Sequence, residues 1–184
     1  MNKILQGVRP SDYLLAGVMT VAGAFLMYMN ITSADEESLA HPVSTTSWLL
    51  LPAFLLVTLP ILWRRRNILA VIGVTIATSA LHVLAFGWTT RCGVALPLSL
   101  ALAYAVARFA GGMRNQLIGL AGIVVLQVVV LFHDASIGEI SGGLALALPL
   151  AALFYGIGLF VQNRVSSKQE QSTTVARVTE RAAA

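Results

Sequence analysis

The sequence predicts an all-α membrane protein: a six-transmembrane-helix bundle with both termini in the cytoplasm. Three observations carry this. Hydrophobic residues make up 57% of the 184-residue chain and charged residues only 11%, whereas soluble domains carry about 25% charged residues. Six apolar stretches approach the roughly 20 helical residues needed to cross a hydrocarbon core of about 30 Å. Eleven of the twelve Lys and Arg residues fall on one side of a six-span threading, and five of the eight acids fall on the other. Open sheet edges cannot be satisfied in lipid, so helices are the fitting element.

The first span, 13–30, follows Lys3 and Arg9. Its apolar run exceeds the 7–15 residues or so of a signal-peptide core, so it reads as a retained anchor. The loop 31–46 carries Asp35, Glu36, Glu37, His41 and Pro42 and is too small for a folded binding domain. Span two, 47–63, ends in Arg64, Arg65 and Arg66, and span three, 68–88, leads to a loop whose one charge is Arg91. Span four, 92–109, closes on a turn with Arg108, Gly111, Gly112 and Arg114. Span five, 116–132, leads to Asp134 and Glu139, and span six, 142–162, exits at Arg164. Short basic loops are retained in the cytoplasm, which places Arg64, Arg65, Arg66, Arg108, Arg114 and Arg164 inside. Arg91 is the exception to that rule.

Residues 164–184 turn polar and form a cytoplasmic tail or the start of a signalling helix. Val175, Val178 and Ala182 give it a short seam at coiled-coil spacing. Pro52, Pro97 and Pro149 each sit a few residues into an even-numbered span, where a missing N–H favours a kink.

Ionisable and strongly polar groups within spans are the first places to look for function. His82 lies in the outer part of span three, His133 and Asp134 close span five, and Gln127 sits mid-span among valines and leucines. These four are the ligand or sensing candidates. The ordinary reading of His82 is a histidine bonded to a neighbouring helix, and that of Gln127 an amide that locks two helices together. His82, His133, Asp134 and Glu139 lack tight ligand spacing, so no metal site is expected, and Cys92 alone can form neither an intramolecular disulfide nor a cysteine metal site. No cofactor is expected. No span carries Asp, Glu, Lys or Arg at mid-depth, and phosphate-loop, zinc-protease and nucleophile-elbow motifs are missing. Catalytic residues are therefore not expected. The basic charges are scattered over helix ends, where they would meet the headgroups of a lipid bilayer rather than nucleic acid.

The run Leu59-Pro60-Ile61-Leu62-Trp63-Arg64-Arg65-Arg66, followed at once by an apolar span, resembles the N-terminal membrane region of bacterial two-component sensor histidine kinases. The resemblance is to the actinobacterial type within the nitrate/lipid-sensor class. Leu81-His82 and Ala103-Tyr104-Ala105-Val106-Ala107-Arg108 are similar to that family, as is the tail around Glu180 and Arg181. This implies a multi-pass sensor in the bacterial inner (plasma) membrane. It would act as a homodimer or with a membrane or cytoplasmic signalling partner, passing a membrane or lipophilic stimulus to a cytoplasmic helix. The family's phosphoacceptor histidine has no counterpart here, because His41, His82 and His133 all fall at or beyond the outer face. Kinase activity is therefore not expected of residues 1–184, which hold no dimerisation or ATP-binding domain. The alternatives are a small multi-pass transporter or permease subunit, or a structural membrane partner.

Overall fold

A computed structural model describes the backbone of residues 7–32 and 39–183, with side chains to residue 167. Six α-helices follow one another: α1 (Pro10–Thr32), α2 (Leu50–Thr58), α3 (Ile68–Phe86), α4 (Cys92–Phe109), α5 (Met113–Leu131) and α6 (Ile140–Ala183). A 3-10 helix, Leu59–Trp63, prolongs α2. Among the described residues there is no strand, only a single bridge between Thr89 and Asp134.

Five helices are long and apolar enough to cross a membrane, and the exception is α2. The stretch expected as span two, 47–63, instead contains a short helix that tightens at Pro60. That proline has no N–H to give the carbonyl four residues back, so the α-helical pattern stops at Thr58. The other helices begin or end within a few residues of the expected spans, apart from the far end of α6. No break separates span six from the tail, because the helix runs unbroken from Ile140 to Ala183. The side chains of the Val175, Val178 and Ala182 seam lie outside the described residues. Pro97 and Pro149 sit inside continuous helices.

Local signals set the helix limits. Asn67 caps α3 by accepting the Ala70 N–H at 3.1 Å. Gly87 stops the same helix at φ 61°, a conformation disfavoured for side chains with a Cβ. Gly111, at φ 74°, turns the chain from α4 towards α5.

The second segment lies antiparallel along α1. At one end the Tyr28 and Trp48 rings approach to 6.4 Å, in the middle the Thr20 and Thr58 hydroxyls bond at 3.2 Å, and at the other end Asp12 meets Arg64. At Gly23 the Phe54 ring packs where a Cβ would stand. Helix α4 is the pillar of the bundle, touching α1, α3, α5 and α6. Leu98, Leu102, Ala103, Ala105 and Val106 are fully or almost fully buried there. Helices α4 and α6 run parallel and meet at Gly158, where an added Cβ would fall 2.6 Å from Ala107 Cβ and 2.8 Å from the Tyr104 carbonyl. Such small residues let membrane helices approach closely. Gly119 and Gly122 of α5 pack in the same way against Val106 and Ile72.

Candidate functional site

At the end of the bundle opposite Arg64–Arg66, three loops interlock around one buried arginine. Arg91 is 2% exposed. Its side chain donates to the carbonyls of Gly87 and His133, each at 2.6 Å, to the Thr89 carbonyl at 3.4 Å, and to His82 Nδ1 at 3.1 Å. Arginine is a donor only, so a neutral His82 accepts at Nδ1 and carries its proton on Nε2. Burial draws the Arg91 guanidinium down to about 10 while the Asp134 carboxylate acts against that fall, so it stays charged at neutral pH.

Asp134 completes the arrangement from the α5–α6 loop. Its Oδ2 accepts the backbone N–H groups of Arg91 and Cys92, each at 2.7 Å, and its Oδ1 accepts from the Ser136 amide at 3.0 Å. The first N–H groups of a helix have no partner within it. Asp134 therefore caps α4 from another loop, and its negative charge suits the helix's positive end.

The surrounding loops are stitched to this centre. Asn30, at the end of α1, accepts from the Thr90 amide at 2.8 Å and donates to the Thr90 carbonyl at 2.9 Å. The His41 amide donates to Ala135, and its ring stacks on Trp88 with centroids 3.9 Å apart. Trp88 in turn meets the His133 ring edge-on at 4.9 Å. Three of the four sequence candidates, His82, His133 and Asp134, thus gather around Arg91. His133 takes part through its carbonyl, while its ring packs on Trp88 and Phe132.

Gln127 stands apart, deeper in the bundle. It is buried and donates to Ser99 Oγ at 3.2 Å and to the Ala147 carbonyl at 3.3 Å, joining α5 to α4 and α6. Beside it is a void of about 10 Å³ bounded by Cys92, Leu96, Leu126 and Ala147. That is at the lower limit for one water molecule.

At the opposite, basic end, the side chain of Asp12 is fully buried and ion-paired with both Arg64 and Arg65 at 2.8 Å. Arg65 also lies over the Phe109 ring, which Arg108 approaches from 5.8 Å. Arg114 is exposed, and Arg164 covers the Phe160 ring one turn earlier. Among the described residues, no group of three His, Cys, Asp or Glu side chains could hold a metal ion.

Arg91, Asn30 and Asp12 were not among the site residues read from the sequence. The signal for Arg91 was present, since it alone broke the charge partition. A lone cation at this end of the bundle is explained by a buried network that takes four hydrogen bonds from one side chain. Asp12 had a weaker signal, as an acid among the cations of the basic end.

The fold and its two polar clusters define the class: an all-helical protein with several membrane-length apolar helices. Neither a protein-family model, nor a curated protein, nor a solved structure matches the chain.

Proposed function

We propose that the chain is a six-crossing membrane input unit, similar to the sensor region of a two-component histidine kinase, with its basic end in the cytoplasm. Residues 1–184 then detect and transmit without catalysing. The observation that carries this reading is the continuity of α6. The helix is packed against α4 at Gly158 and then extends from Arg164 to Ala183, about 30 Å at roughly 1.5 Å per residue. A shift or rotation of α6 within the bundle is delivered to whatever that helix joins.

The partner of α1 supports reading six crossings, rather than five. The nine residues of α2 and five of the 3-10 helix together span roughly 23 Å at about 1.5 and 2.0 Å per residue. They match α1 from Tyr28 to Asp12, so the segment reaches from one end of the bundle to the other. A bilayer thins or flanking arginines reach outward to accommodate a short span.

The partner is a second copy. Leu153, Ile157 and Phe160 are exposed on α6, and Gly156 faces open space. Eighteen residues make five helical turns, so Ile157, Phe160 and Arg164 are in line with Val175, Val178 and Ala182. Helices in proteins take most of their stability from packing, and pairing along this face would support the projecting segment. Among the described residues the loops around Arg91 are tied to one another, which supports the membrane itself or a lipophilic molecule as the stimulus.

The test is a chimera with residues 1–184 placed before a dimeric kinase core, read by autophosphorylation in bilayers of differing acyl-chain length. Output should follow bilayer thickness. An unrelated membrane anchor giving the same response would overturn the proposal.

A further inference from the structure

Aromatic residues bracket α1 and its antiparallel partner at matching distances. Tyr13 and Tyr28 stand at the two ends of the outward stripe of α1, with Leu14, Val18, Val21 and Phe25 exposed between them. They are roughly four turns apart, about 22 Å at about 1.5 Å per residue. Trp48 and Trp63 bracket the second segment, whose α2 and 3-10 parts span roughly 23 Å. The pairing brings these rings to common levels. Tyr28 meets Trp48 at one end, and at the other Asp12 and Arg64, the chain neighbours of Tyr13 and Trp63, form an ion pair. Tyrosine and tryptophan gather at both interfaces of a bilayer, where the apolar ring and its polar edge are each accommodated.

Polar groups resume at the same depth. Beyond Tyr28 the last turn of α1 carries Thr32 and Asn30, and Asn30 is bonded to both the amide and the carbonyl of Thr90. On α3, His82 accepts from the Arg91 guanidinium about 21 Å along the helix from Ile68. Three adjoining elements thus agree on an apolar depth of about 22 Å, against about 30 Å for an ordinary hydrocarbon core. Helix α6 differs, being uncharged from Ile140 to Asn163, about 36 Å of helix. It packs on α4 and α5, whereas α1 packs on the second segment and α4. The bundle therefore has a short side and a long side.

We infer that the face formed by α1 and α2 is an interaction surface for a locally thinned bilayer, held in place by its two aromatic girdles. Tilting cannot remove the mismatch, because a rigid tilt that shortens α6 across the bilayer shortens α1 as well. Sinking the face into a thicker bilayer would draw the partly exposed Arg64 and Arg65 into hydrocarbon, which is costly for a charge. Thinning of the surrounding lipid avoids both. The inference rests on the six-crossing reading proposed above, but it requires no signalling role.

Spin labels on single cysteines test it. Cys92→Ser, or Cys92→Ala if the serine variant does not fold, removes the chain's one cysteine. Leu14→Cys, Phe25→Cys, Leu49→Cys and Leu59→Cys then place labels at exposed positions of the face. Depth is read from relative accessibility to oxygen and to a water-soluble nickel chelate, in dimyristoleoyl, dioleoyl and dierucoyl phosphatidylcholine. Each label should keep one depth below its nearest interface in all three bilayers. A label on Leu153→Cys, exposed on α6, serves as control and should deepen as the chains lengthen. Tyr28→Leu combined with Trp48→Leu removes one girdle, and the Phe25→Cys label should then deepen too. Labels on the intact face that deepen by half the added thickness would overturn the inference, as would a constant depth that survives loss of the girdle. Oxygen exclusion with spin–spin broadening at Phe25→Cys would also overturn it, by placing a second copy on this face. A Leu56→Cys label no deeper than those at Leu49→Cys and Leu59→Cys would instead show that the segment does not cross, and so refute the six-crossing reading itself.

Discussion

Replacing Arg91 with methionine removes the centre of the loop cap while keeping a side chain of similar length. Two short bonds to the Gly87 and His133 carbonyls are lost, together with longer ones to Thr89 and His82. Hydrogen bonds to charged groups contribute about 1.5–3 kcal/mol each, and buried acceptors left without a donor cost about 1–3 kcal/mol. These values overlap and do not add. Removing one member of a buried charge network typically costs about 3–5 kcal/mol, and we expect Arg91→Met to fall in that range. Asp134 keeps its bonds from the Arg91 and Cys92 amides, because those come from the backbone. The α4 cap should therefore survive while the three loops separate. Reversible unfolding in mixed micelles, titrated with SDS, measures the free energy. Arg114→Met, at an exposed position, provides the reference and should change stability by less than about 0.5 kcal/mol. Arg91→Lys should lie between the two, since an ammonium keeps the charge but cannot reproduce the planar fork. A loss below about 1 kcal/mol for Arg91→Met would refute the view that this residue organises the cap.

Asp12→Asn should destabilise by about 3 kcal/mol in the same titration, at the lower end for buried pairs because Arg64 and Arg65 are partly exposed and can turn to water. Gly158→Ala should cost about 1–3 kcal/mol, because its Cβ would overlap Ala107 and the Tyr104 carbonyl. Gly156→Ala, which meets nothing among the described residues, should leave the chain's own stability nearly unchanged and, on the proposed pairing, weaken dimerisation measured by energy transfer between labelled copies. Gln127→Leu should cost less than about 2 kcal/mol, the ceiling for interhelical polar contacts in membranes, by the same titration.

The apolar helices were readable because their signal is long and additive: about 20 residues of one character outweigh any single exception. The second segment shows where that signal fails. Length and hydropathy treated 47–63 as one helix, but Pro60 changes its geometry, and its depth is set by contacts with α1 that no local window contains. The extent of α6 was left open, between a polar tail and the start of a helix, for the opposite reason. Loss of hydrophobicity after Asn163 marked the end of a span, yet helicity needs only compatible backbone propensity and no Pro or Gly, a condition residues 164–183 meet. At the loop cap, His82, His133 and Asp134 stood out as polar residues near span ends. Their common partner was harder to read, because Arg91 joins His133 through a main-chain carbonyl and Asp134 through its own backbone amide, and meets only His82 side chain to side chain. Those groups exist at every residue and leave no mark in side-chain identity.

The most direct measurement of the proposed relay uses helical phase. One to seven residues are inserted after Arg164 in the kinase chimera, and autophosphorylation is measured for each length. A rigid α6 turns its far end by about 100° per inserted residue, so output should change at two and five insertions and return at seven, close to two full turns. Output that stays constant across the series, or survives replacement of residues 165–168 by glycines, would contradict transmission through a continuous helix.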